Sequence, residues 1–165
     1  MIALQIEDIP AFTRKLFLGE TFDSFLVREA EFSTFCTFSI SGKVNQNYYN
    51  EEELEQERIE EYASWKKLRP LCFSLIKGKK LPEGFSIVLK MPPEAAERFI
   101  RSRMPEAPKD FAEGLYLHLR YANPKLSAVT GISLARFSLD KTLEREWDDS
   151  VKKFLAKNEI PFVEM

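Results

Sequence analysis

Histidine occurs once in this chain, cysteine twice and glycine six times in 165 residues. Each scarcity closes off a chemistry. With His118 alone, and with Cys36 and Cys72 far apart, a transition-metal centre built on imidazole and thiolate has too few ligands. Neither cysteine has a CxxC partner. Both sit in apolar stretches (TFCTF and LCFSL), which reads as two buried free thiols and not as a disulfide or a nucleophile. The glycines form no GxGxxG, no GxxxxGK[ST] and no GxSxG, so the usual phosphate cradles and the nucleophile elbow are missing. SVKK at residues 150–153 spells SxxK, but it lies in a charged helix beside Asp148 and Asp149, a poor setting for a lysine base. Trp147-Asp148 spells WD without any repeat period around it. The first residues, MIALQIEDIPAF, lack a basic segment ahead of an apolar one, and no apolar run approaches the length of a membrane span. The expectation is a cytoplasmic protein with no membrane segment and no cofactor.

Phenylalanine, in contrast, is abundant, with 14 residues spread along the chain, which favours a core built on aromatic rings over one aromatic platform. The composition, 44% hydrophobic and 30% charged, is that of a globular protein. The length fits one domain over residues 1–165. A net charge of −2 sets up no global field toward nucleic acid or an anionic membrane.

Periodicity gives the element order. IALQI alternates as a short strand; Asp8 then caps a helix whose inner face is Ile9, Phe12, Leu16 and Phe17. Residues 26–40 alternate over a length that suits two strands. EEELEQERIEEY at residues 51–62 reads as a helix with a thin apolar stripe. Residues 71–76 and 85–91 read as hairpin arms around the loop KGKKLPEG. Pro92-Pro93 opens a helix. Residues 115–121 form a strand, and after Asn123-Pro124 another runs over residues 128–139 with a bulge at Gly131. Asp140 caps a last helix with Leu143, Trp147, Val151 and Phe154 inward, and i,i+4 pairs join Asp148 to Lys152 and Asp149 to Lys153. IPFVE ends the chain as a strand that pairs with the first one and closes the sheet. The fold class is α+β, with antiparallel hairpins alternating with single helices in the order β-α-β-β-α-β-β-α-β-β-α-β. A helix-plus-hairpin unit recurs in pattern, without residue identity between units.

Charge is patterned more sharply than composition implies. Residues 51–61 hold seven glutamates and one arginine, a local −6; residues 62–82 hold Lys66, Lys67, Arg69, Lys77, Lys79 and Lys80 with no acid, a local +6. Three readings stand side by side. The six cations bind an anion, with Trp65 as a stacking surface. Alternatively they keep a hairpin tip wet and unpaired, or they pair with the glutamates upstream or with a partner. The acidic helix reads as a solvated face, since it lacks a calcium loop. His118 reads as a surface or cross-strand histidine, both of its neighbours being leucine.

The stretches YASWKKLRPLCFSLIKGKKLP, GLYLHLRY and TGISLARFSLDKTLEREWD together resemble a family of small proteins from Gram-positive bacteria that carries only a domain-of-unknown-function label. The resemblance runs nearly end to end. It implies a bacterial intracellular protein and carries over no catalytic or binding residue. From the residues themselves, the function expected is that of a non-catalytic binding or protein-interaction module, with a protein partner or self-association. The first rival is a nucleic-acid or phosphate binder using residues 66–80, and the second is an enzyme that uses scattered carboxylates.

Overall fold

A computed structural model describes residues 1–165. The order along the chain is β1 (Ala3–Ile6), α1 (Ile9–Phe17), β2 (Leu26–Ser33), β3 (Thr37–Ser41), a 3-10 turn (Gln46–Tyr48), α2 (Glu51–Gln56), α3 (Trp65–Ile76), β4 (Gly84–Lys90), α4 (Pro93–Arg103), β5 (Ala112–Ala122), β6 (Lys125–Leu134), α5 (Thr142–Lys157) and β7 (Phe162–Glu164). The seven strands form one sheet, β3-β2-β4-β5-β6-β1-β7, antiparallel at every contact. The expected α+β class with antiparallel pairing is what the chain adopts. The first and last strands do pair, Gln5 opposite Val163, but the sheet stays open, with β3 and β7 at its edges.

Alternation in the strands decides which face is covered. Ala30 and Phe32, Phe85, Ile87 and Leu89, Leu115, Leu117 and Leu119, and Leu126 and Ala128 all point one way into a 26-residue core. α1, α3, α4 and α5 lie on that side, contributing among others Phe12, Leu16, Phe17, Trp65, Trp147 and Leu155. Six rings meet edge to face, Trp65 and Phe85 on Phe17 at 5.8 and 5.5 Å, and Phe12 and Phe154 on Phe22. Such pairs add to simple area burial. The opposite face carries Glu29, Glu31, Ser86, His118, Arg120 and Ser127, the polar half of the same alternation.

Several local expectations are corrected. Residues 71–76 are not a strand; they are the last turns of α3, so no hairpin flanks KGKKLPEG. The segment LCFSLI is short and almost wholly apolar, and periodicity does not separate a strand from a buried helix at that length. Ser64 decides it upstream by accepting the Lys67 N–H at 3.2 Å as the N-cap, and Pro70 is carried inside the helix. The helix-plus-hairpin recurrence therefore fails at β4, which follows α3 and precedes α4 alone. The acidic helix stops at Gln56, leaving residues 57–64 to cross the end of β2 through the bridges Lys43–Tyr62 and Leu26–Ser64.

Gly131 sits in register opposite Tyr116; the irregularities fall instead at Val27/Glu29 and Ala112/Gly114. β6 ends at Leu134, short of Leu139. Lys141 is the residue that caps α5, while Asp140 Oδ1 accepts the Thr142 N–H at 2.9 Å. The i,i+4 pairs are replaced as well. Lys152 meets Asp149 and Glu164, and Asp148 takes the Thr130 hydroxyl and the terminal ammonium.

The cysteines divide. Cys72 is fully buried, and burial pushes its thiol up to about 12; Cys36, expected inside, is exposed in the β2–β3 turn. An aromatic disulfide reagent should titrate one thiol in the native protein and both after unfolding. Two fast native thiols would show that α3 opens freely.

Candidate functional site

The six cations expected to act together do not share a surface. Lys66 and Lys67 sit exposed in the first turn of α3, whereas Lys77, Lys79 and Lys80 follow its last turn, on the order of 15 Å away along the axis at 1.5 Å per residue. Arg69 is already engaged. Its Nε and Nη2 donate to Asp23 Oδ1 and Oδ2 at 3.0 and 2.9 Å, and both side chains are largely buried. Trp65 offers no stacking surface, being 0% exposed with Nε1 donating to the Leu16 carbonyl at 3.0 Å. The acidic and basic blocks do not pair with each other either: Arg58 bridges Glu60 and Glu94, and none of the five lysines makes a salt bridge. The first turn of α2 is solvated acid, as expected of it.

What the fold does build lies where α1 meets the end of α3. A cleft of about 630 Å³ opens there. One wall is Ile9, Pro10, Thr13 and Leu18 from α1 and its exit, and the other is Phe73 and Ile76 from α3. Phe85 and Tyr121, their rings 5.5 Å apart, form the floor. The 77–82 loop closes one side, with Gly78 at φ +153°, a backbone angle that a side chain resists. The lining is mostly carbon, and its charged members are all cations: Arg14, Lys77 and Lys80. Leu18 and Leu81 stand 58% and 78% exposed at the mouth. Apolar walls with a few convergent polar groups, at this volume, are the usual build of a small-molecule site. Lys77 and Lys80 were legible in the sequence; Arg14 was not, because only the packing of α1 on α3 brings it to them.

A second feature lies on the opposite face. His118 Nε2 and Ser86 Oγ are 2.7 Å apart across β4 and β5, beside a shallow depression of about 250 Å³ that Arg120 and Glu31 also line. Burial, and then Arg120, lower the His118 pKa from its ordinary value, while Glu29 opposes them. The tautomer of the ring sets which of the two, Ser86 Oγ or His118 Nε2, is the donor. No carboxylate hydrogen-bonds the other ring nitrogen, so the pair lacks the orienting acid of a triad. Ser86 lies on the neighbouring strand β4, diagonal to His118 (Val88 is the residue directly opposite) and far from it in sequence, which is why the flanking leucines gave no hint of it.

No helix is long and apolar enough to cross a membrane, and no three His, Cys, Asp or Glu side chains gather into a metal-binding group. No curated protein and no solved structure matches the chain. Residues 15–163 match the family described as Family of unknown function (DUF5721), covering the floor, the α3 wall and the loop of the cleft, and the chain belongs to that family.

Proposed function

We propose that the protein is a cytoplasmic binding module, and that the α1–α3 cleft takes a single-chain amphiphile with an anionic head, of the class of long-chain carboxylates. The observation that carries this is the cleft's combination of carbon walls with Arg14, Lys77 and Lys80 as its sole charges. A carboxylate head satisfies those cations while the chain displaces water from Phe73, Ile76, Phe85 and Leu18. Lys66, Lys67 and Arg69 lie outside the lining and take no part. That division weighs against a nucleic-acid groove, which needs cations along a continuous track.

Titration calorimetry with saturated carboxylates of increasing length tests the reading. Each added methylene should tighten Kd about three- to fourfold, from about 0.8 kcal/mol per buried CH2, until the cleft is full. Reversing two rim charges, Arg14→Glu with Lys80→Glu, should weaken binding at least tenfold, and Thr13→Trp should block it. Affinity indifferent to chain length, or intact in the charge-reversed protein, would remove this reading. A single-stranded oligonucleotide bound with steep salt dependence and unaffected by Thr13→Trp would favour the nucleic-acid alternative instead.

A further inference from the structure

We propose that β3 is a self-pairing edge, through which two copies of this chain join into one continuous antiparallel sheet. The two edges of the sheet are treated differently. β7 is three residues long, follows Pro161, and ends in Glu164, which Lys152 holds at 3.2 Å. Shortness, proline and charge are the devices that keep an edge from pairing. β3, TFSIS, has no charge, no proline and no bulge against β2.

Its backbone is oriented for the task. Gly42 N–H donates to Arg28 and Thr34 N–H to Cys36, each at 2.9 Å, and bonded pairs alternate along an antiparallel ladder. Phe38 and Ile40 therefore face their amides toward β2, and Thr37, Ser39 and Ser41 direct theirs outward. All three outward residues are exposed. A two-fold axis through Ser39 sets Ser39 against its own copy and Thr37 against Ser41, satisfying every outward group in about six backbone hydrogen bonds.

The side chains obey the same symmetry. On the helix side Phe38 of one copy meets Ile40 of the other, in the closely spaced pairs between those bonds. Both are half-buried at the margin of the core, and the pairing would extend that core across the axis. On the other side hydroxyls meet hydroxyls. The strand is thus self-complementary in hydrogen bonding, in apolar matching and in the absence of charge. A second copy of this chain is the partner it fits.

Sedimentation equilibrium of the full chain tests the proposal. The wild-type protein should dimerise in the micromolar range. Ser39→Lys and Ser39→Glu each place like-charged side chains at the axis on Cα atoms about 5.5 Å apart, and each should raise the dissociation constant at least tenfold. Mixing the two variants should restore the dimer. Ser39→Pro, which removes one outward N–H and no bond to β2, should dissociate it too, with an unchanged circular dichroism spectrum. A wild-type monomer at high micromolar concentration overturns the proposal. So does a dimer that survives Ser39→Lys, or a Lys/Glu mixture that stays monomeric. Carboxylate binding in the cleft is read separately and should be the same in all three variants.

Discussion

Trp65→Ala should lower the unfolding free energy by about 3–5 kcal/mol, the range for deleting a large buried aromatic. That is a large part of the roughly 5–15 kcal/mol by which a domain is stable. Trp65 is 0% exposed and stacks edge to face on Phe17, so its removal leaves a void between α1, α3 and the sheet. Its indole has a second role. α1 ends at Phe17, and the Leu16 carbonyl, in the last turn with no later amide to accept from, takes the Trp65 Nε1–H at 3.0 Å. Trp65→Phe fills most of the void yet orphans that buried carbonyl, and should cost about 1–3 kcal/mol. Urea denaturation gives both values. A Trp65→Ala protein within about 0.5 kcal/mol of wild type, the usual span of surface substitutions, would place this ring outside the core and reopen a stacking role for it.

The same residue shows where sequence reading succeeds and where it stops. β5 was plain because Leu115, Leu117 and Leu119 alternate with Tyr116, His118 and Arg120, and a sheet with one covered face demands that pattern. α5 was plain for the equivalent helical reason. α3 was not. Its polar half, WKKLR, and its apolar half, LCFSLI, have different periodicities, and Pro70 between them reads as a break. The structure carries Pro70 within α3, and the tertiary contacts of Trp65 and Cys72 outweigh the penalty. Misreading that one helix changed the site. As a hairpin tip, Lys77, Lys79 and Lys80 stand in water. As the exit of a helix packed on α1, Lys77 and Lys80 rim a cleft whose third cation, Arg14, lies in another part of the chain.

Charge blocks were a poorer guide than apolar periodicity for a physical reason. Periodicity is enforced by burial, which is worth kilocalories, whereas exposed ion pairs contribute about 0–1 kcal/mol and seldom dictate structure. Seven glutamates and six cations adjacent in sequence therefore end up unpaired with each other. Only Arg69 of the six is ion-paired, and with Asp23 from outside the acidic block; it is the one cation of the set that the fold encloses.

Arg69→Met is accordingly expected to destabilise the protein by about 2–3 kcal/mol, because Asp23 would remain as an enclosed carboxylate without its two charge-assisted hydrogen bonds. Both side chains are under one-fifth exposed, so solvent does little to replace the lost partner. Asp23→Leu alone should cost a similar amount by stranding the guanidinium. The double variant should recover a good part of the loss, since two apolar groups in that space leave nothing unpaired. A coupling of more than about 1 kcal/mol in this cycle is expected from chemical denaturation. Carboxylate binding in the cleft should be unchanged at temperatures where Arg69→Met stays folded. Arg69→Met with full stability but weakened anion binding would reverse the assignment. Asp23 would then be incidental, and the guanidinium would belong with Lys66 and Lys67 on a binding surface after all.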